Sequence, residues 1–434
     1  MPKIPALTHG DLLKITTKTE EFSGIFIPSP KKSTLTIKLS NGYNIGIDKN
    51  KIVSIEILEK HQDKKMNLPS VKNNPDLPKI SILSVGGTIS SRVDYKTGAV
   101  APLSTPEELI ENIPELKKIA NISYKQILSI DSESMRFPHY NLLAKEIEKE
   151  IKNNPKGIII THGTDTLHFT SAALAFMLEN PPLPIILVGS QRSSDRGSSD
   201  SSSNLLNAAM FISSSNFKGV AICMHSSTSD DSCYILPATK SRKFHTSRRD
   251  AFKPVNCQPI AKLSFQKNKL QFINQPKQKE GKFTVRYFKD NLKVGIIRSH
   301  TNILPENIAA FKGYKGLIVE GTGLGHFPIS SDKYSKINQK NKSALASLIK
   351  SGCILVLTSQ CIFGRVNMNV YSPQKELLEI GVIPGNDMTT ETVFIKLAFL
   401  LSNYPVKEVK ELLHKNLADE FNERILPDQY FEER

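Results

Sequence analysis

The sequence predicts an α/β protein with a larger parallel-sheet domain, a smaller α/β domain and a small SH3-like β-barrel in front of them. Three observations carry this. The chain has 434 residues, more than one ordinary core organises. Short apolar runs alternate with longer helical patterns from Lys79 onward, twice over. The first sixty residues instead hold short Ile/Leu/Val/Thr-rich runs separated by turn formers, with no helical period.

The barrel is expected over residues 1–62, with turns at Ser29-Pro30, Asn41-Gly42 and Asp48 to Asn50. Residues 63–78 are polar and proline-punctuated, and read as a linker. The larger domain spans 79–275. Its strands are "ISILSV", "GIIIT", "IILVG" and "GVAICM"; helices are expected near 105–120, 139–153, 166–179 and 203–213. The strands are continuously apolar, so both faces are buried, as in a parallel sheet with crossover helices. A charged stretch over 264–292 reads as a hairpin that finishes this domain and a linker over 276–292. The smaller domain spans 293–434, with strands "KVGIIRS", "KGLIVEG" and "GCILVLTS" and helices near 340–350, 389–402 and 406–414.

Composition narrows the class. An apolar share of 39% and a charged share of 23% suit a globular chain. No stretch reaches the roughly 18 to 20 apolar residues of a membrane span, and the N-terminal stretch lacks the apolar centre of a signal peptide. A cytoplasmic protein without membrane attachment is expected. Five cysteines without a Cys-x-x-Cys pair suggest reduced thiols rather than disulfides or a zinc site. Net charge is +15, and Lys240 to Asp290 carries 14 Lys/Arg against three Asp/Glu. That segment suits tRNA or an acidic partner. A chain rich in Lys, Asn and Ile throughout also carries such a run without any ligand.

Three loops at strand ends hold candidate chemistry. In "SILSVGGTIS" a strand runs into Gly86, Gly87 and Thr88. Glycine permits the sharp turn, and the hydroxyl then serves as a cap, a phosphate ligand or a nucleophile. The loop "THGTDT" places Thr164 beside Asp165, and "LPATKSRKFH" supplies Lys240. A hydroxyl is a weak nucleophile until a base takes its proton, and a neutral lysine serves as that base. Asp165 suits a substrate ammonium, the orientation of Lys240, or both. The glycine N–H groups suit an oxyanion. Each feature has a plainer reading: Gly-Gly-Thr as a turn and cap, Thr164 and Asp165 as N-caps of a helix near Thr166, Lys240 as a surface residue. His162 and His326 read as loop or packing residues, and "GTGLG" lacks the full dinucleotide fingerprint.

"VGGTI", "HGTDT" and "ATKS", in this order and at these strand ends, resemble the bacterial-type L-asparaginase family from Lys79 onward. The resemblance implies the two-domain asparaginase-like fold. By position, Thr88 is implied as the primary nucleophile, Thr164 and Lys240 as the second hydroxyl and its base, and Asp165 as the substrate-amine ligand. Tyr95 is implied as the lid-loop partner of Thr88, and Ser132 in "IDSESM" as a substrate-carboxylate contact. Val85 stands where the family has threonine. The N-terminal segment and the strings "DYKTGAVAPLSTPEEL", "GSQRSSDRGSSDSSSNLLNA", "EGTGLGHFP" and "TSQCIFGRVNMNVYS" are similar to the D-subunit branch of archaeal glutamyl-tRNA(Gln) amidotransferases. That branch implies a glutaminase that passes ammonia to an E subunit. It implies ATP and magnesium in the partner and no cofactor in this chain. It also implies tRNA(Gln) held mainly by the partner and a D–D homodimer flanked by two E subunits in a heterotetramer. A free-standing asparaginase or glutaminase, and a silent tRNA-binding or assembly module, are the alternatives.

Overall fold

In a computed structural model the described residues are 5–29, 31–41, 43–60, 73–87, 89, 91–94, 99–102, 109–110, 113–192, 198–274, 276 and 280–425. The expected sites Thr88 and Tyr95, much of the expected 105–120 helix and most of the expected 63–78 linker lie outside them.

The N-terminal unit is a five-stranded antiparallel sheet. Across it the strands run Asn44–Asp48, Thr34–Lys38, Glu21–Ile27, Leu12–Thr17 and Ile52–Glu59. Period-two alternation turns Leu13, Ile15, Leu35, Ile37, Ile47 and Ile52 to one side, where they form a core of their own. A single 3-10 turn, Lys49–Lys51, joins the two outer strands, capped by the Asp48 side chain on the Asn50 N–H at 2.9 Å.

The larger α/β sheet has eight strands. Asn121–Gln126, Lys79–Ser84, Gly157–Thr161, Pro184–Val188 and Gly219–His225 run parallel, in that spatial order. Cys233–Pro237, Ala261–Ser264 and Lys269–Phe272 extend the sheet antiparallel. The sheet is therefore mixed, not wholly parallel. The strand Asn121–Gln126 escapes the sequence reading because its residues, NISYKQ, are half polar: it is an edge strand, covered less than its neighbours. Both faces of the central strands are buried. Ile80, Ile82 and Ile159 pack beneath the helix Ser201–Ser214, while Leu83, Ile158 and Ile160 pack against Phe137–Ile151 and Leu167–Met177.

The smaller sheet is parallel, in the order Val294–Arg298, Gly316–Gly321, Ile354–Ser359 and Ile383–Pro384. Its helix Thr390–Asn403 is buried along nearly its whole length. Leu397, Leu400 and Leu401 join the same core as Leu83, Leu143 and Leu174 of the larger domain. The two α/β domains thus share one apolar core, beside which each keeps a further core of its own.

A buried ion pair fastens the last described residues to that helix. Lys396 Nζ lies 2.6 Å from Glu420 Oε1, and both side chains are fully buried. The Glu420 carboxylate also accepts the N–H groups of Leu417 and Ala418, and Lys396 donates to the carbonyls of Leu413 and Lys415. Burial pulls the Lys396 ammonium below the ordinary lysine range, against the raising effect of Glu420. Removing one partner strands the other charge, so Glu420→Leu should cost about 3–5 kcal/mol. Adding Lys396→Met should recover part of that loss. Urea unfolding of the two variants checks this; equal or additive losses in the double variant would contradict it.

Candidate active site

Three loops converge at the carboxyl ends of the parallel strands, where such sheets collect ligands. They converge because Cβ atoms are missing where they cross. A Cβ on Gly87, at φ +84°, would stand 2.6 Å from Gly163 N, and one on Gly86 2.6 Å from Ile130 O. A Cβ on Gly163 would stand 2.8 Å from Ser132 Cβ, and one on Gly189 2.7 Å from Thr164 Cγ2. No real Cβ occupies such positions, so the Gly-Gly turn ahead of Thr88, the HGTDT loop and the Ser132 loop touch backbone to backbone.

Ser132 is buried beneath the HGTDT loop, and its carbonyl accepts Thr166 Oγ1–H at 2.5 Å. Thr166 stands at the N-cap of the helix Leu167–Met177, yet its hydroxyl bonds to Ser132 instead of a helix N–H. Thr164 and Asp165 do not cap that helix either. Their side chains point to a lysine.

That lysine is Lys243, three residues beyond the one expected. Lys243 Nζ donates to Thr164 Oγ1 at 2.8 Å and to Asp165 Oδ1 at 2.7 Å. Its side chain is 11% exposed, whereas Asp165 faces solvent. Lys240, expected beside Thr164, stands elsewhere: its Nζ lies 2.6 Å from Asp387 Oδ2, with both groups buried. Strand alternation is the reason. After Pro237 the chain turns and re-forms a strand, Ser241–Lys243, paired with Phe252–Pro254. Lys240 and Arg242 then face the smaller domain, where Arg242 meets Glu391 at 3.0 Å, and Lys243 faces the HGTDT loop. Sequence reasoning missed Lys243, the second lysine of "TKSRK". Only the position of the strand's first residue chooses between it and Lys240.

The floor of the site is neutral. His162 is fully buried, with Nδ1 2.6 Å from the Gly163 carbonyl and Nε2 2.9 Å from Thr170 Oγ1. Burial pushes its pKa down to about 4. His168 behind it is pushed down to about 3, first by burial and then by the cations of Arg242 and Lys243. His162 therefore braces the loop, as expected for a packing residue. Among the described residues no group of His, Cys, Asp and Glu side chains has the arrangement of a metal site. The serine-rich loop is anchored where it is described: buried Asp200 accepts from Ser190 Oγ at 2.8 Å, from the N–H groups of Gln191 and Arg192, and from Asn204 Nδ2.

Comparison with known proteins places these elements in context. Residues 7–58 match the family model "GatD N-terminal domain", 79–278 match "Asparaginase, N-terminal", and 293–413 match "Glutaminase/Asparaginase C-terminal domain". The D subunit of the glutamyl-tRNA(Gln) amidotransferase of Methanococcus maripaludis is 46% identical over 423 residues, covering 96% of this chain and 98% of that one. Its counterpart from Thermococcus kodakarensis is 42% identical, covering 95% and 94%. Among solved structures, the thermostable L-asparaginase from Thermococcus kodakarensis aligns with TM-score 0.71 at 28% identity, over 80% of this chain and all of that one. L-asparaginase I from Vibrio cholerae aligns with TM-score 0.68 at 26% identity, over 80% and 99%.

The two histidines set an acid limit. In the unfolded chain they titrate near 6.5; in the folded chain they stay neutral to far lower pH. The unfolded state therefore binds more protons as pH falls below 6.5, and stability declines from there until the folded pKa values are reached. His162 alone contributes a loss on the order of 3 kcal/mol between pH 6.5 and 4. Unfolding measured across that window should be less steep with pH in His162→Asn than in the parent. An unchanged slope would contradict this.

Proposed function

We propose that this chain, which belongs to the family of glutamyl-tRNA(Gln) amidotransferase D subunits, is the glutaminase component of that enzyme. The observation that carries the chemical part is the Lys243–Thr164–Asp165 contact at the head of the asparaginase-type sheet. The match at residues 7–58 favours the amidotransferase over a free-standing asparaginase or glutaminase. No helix of the described residues is long and apolar enough to cross a membrane, and a cytoplasmic place follows from the proposed role.

In this reading Thr88 Oγ attacks the side-chain amide carbon of glutamine, assisted by Tyr95. The C–N bond breaks, and the Thr88 hydroxyl proton leaves with the amide nitrogen as ammonia. Water then cleaves the ester to glutamate and restores Thr88. Lys243, once neutral, takes the Thr164 hydroxyl proton along the same 2.8 Å contact as Thr164 takes one from the attacking water, and that proton returns to the Thr88 oxygen when the ester breaks. Asp165 is exposed enough to reach the substrate ammonium while touching Lys243. Ser132 takes the substrate carboxylate. The ammonia passes to an E subunit, which holds ATP and magnesium, activates glutamate on tRNA(Gln) and binds most of the tRNA. A D–D dimer flanked by two E subunits is the assembly.

The test is ammonia release from glutamine and from asparagine by the chain purified with its candidate partner, with and without glutamyl-tRNA(Gln). Glutamine should be the preferred amide, and glutamine turnover should feed transamidation. Lys243→Met should lower kcat by about 10²–10⁴-fold, the range for loss of a general base, and spare transamidation supplied with free ammonia. Asparagine turnover by the lone chain, indifferent to partner and tRNA, would favour the free-standing enzyme. Parent-level glutamine turnover in Lys243→Met would remove Lys243 from the chemistry.

A further inference from the structure

The segment that carries Lys243 is held by the smaller domain through three of the four residues before it. Thr392 Oγ1 donates to the Thr239 carbonyl at 2.7 Å, and Thr239 Oγ1 donates to the Ala418 carbonyl at 3.0 Å. Lys240 meets Asp387 at 2.6 Å, and Arg242 meets Glu391 at 3.0 Å.

Asp387 is the centre of this arrangement. Its Oδ1 accepts the Asn422 N–H at 2.9 Å, and its Oδ2 accepts Asn422 Nδ2–H at 3.0 Å as well as Lys240. The Asp387 carbonyl accepts Asn256 Nδ2–H at 3.0 Å, and the Asn256 carbonyl accepts Asn422 Nδ2–H at 2.7 Å. Val255 N–H closes the circle on the Lys240 carbonyl at 2.7 Å. The two ends of the hairpin, the smaller domain and the C-terminal segment meet at one residue, through its carboxylate and its backbone carbonyl.

We propose that Asp387, with Lys240 and Asn422, is a positioning node that sets where Lys243 stands relative to Thr164. This rests on Lys243 being the base. Three physical points support it. A buried ion pair is a poor source of stability, because apolar residues of similar volume do as well or better. What a carboxylate with three directed donors supplies, and an apolar contact does not, is a fixed direction. A lysine side chain is long and flexible, so its reach depends on where its backbone is held. Finally, misplacement of a catalytic group by about 1 Å can cost on the order of 10²-fold in rate.

The experiment uses the full chain in its complex, assayed for ammonia release from glutamine. Asp387→Asn and Asn422→Ala are compared with the parent and with Lys243→Met; kcat, KM, the pH profile of kcat and the folded fraction at assay temperature are recorded. Asp387→Asn should lower kcat by about 10–100-fold, leave KM within about threefold and displace the pH profile. Asn422→Ala should move kcat the same way by less. If Asp387→Asn does not fold, Asn422→Ala and Thr392→Val decide by the same readouts. Folded variants with parent kcat and pH profile, beside an inactive Lys243→Met, would overturn the positioning role alone. So would losses that track only the unfolded fraction. An active Lys243→Met would overturn the reading of the site, and this inference with it.

Discussion

The site depends on the absence of side chains where its loops cross. Gly87, Gly163 and Ser132 stack so closely that one added methyl at either glycine would fall inside 3 Å of backbone or Cβ atoms. Gly189 gives Thr164 the same clearance. A larger residue at any of these points moves a loop, and with it a hydroxyl. Sheet, helices and core serve to bring these four points together at the ends of parallel strands.

The second dependence is between domains. Lys243 belongs to the larger domain by sequence, but the residues before it are gripped by Asp387, Glu391 and Thr392 of the smaller one. The shared apolar core makes that grip stiff, since Leu397 and Leu400 pack in continuity with Leu83 and Leu174. Such interiors are close-packed and transmit displacement. Among the described residues two lysine–carboxylate pairs are buried near this seam, Lys240–Asp387 and Lys396–Glu420. Each is completed by backbone or amide donors, which is the condition for a buried charge pair to be tolerated.

Much of the fold was legible because its strands are buried on both faces. GIIIT and IILV announce themselves by unbroken apolarity, and they form the centre of the sheet as read. The edge strand Asn121–Gln126 was not legible, because an edge is half solvated and its composition is that of a loop. The antiparallel extension was missed for a related reason: Cys233–Pro237 and Ala261–Ser264 are short and set by pairing, not by period. At the site, Gly-Gly-Thr and HGTDT marked the two loops, since glycine beside a hydroxyl at a strand end is a local signal. The choice between Lys240 and Lys243 is not local. It depends on a turn after Pro237 and on which face of a three-residue strand meets Asp387, and that partner lies nearly 150 residues away in the chain.

The central claim is that Thr164 and Lys243 act as one unit, and a double-mutant cycle tests it most directly. Glutamine turnover would be measured for Thr164→Val, Lys243→Met and the double variant, each shown to be folded. Residues that act together are not additive, so the double variant should fall no more than about threefold below the worse single variant. Losses that multiply across the two substitutions would show that the 2.8 Å contact is structural proximity without shared chemistry.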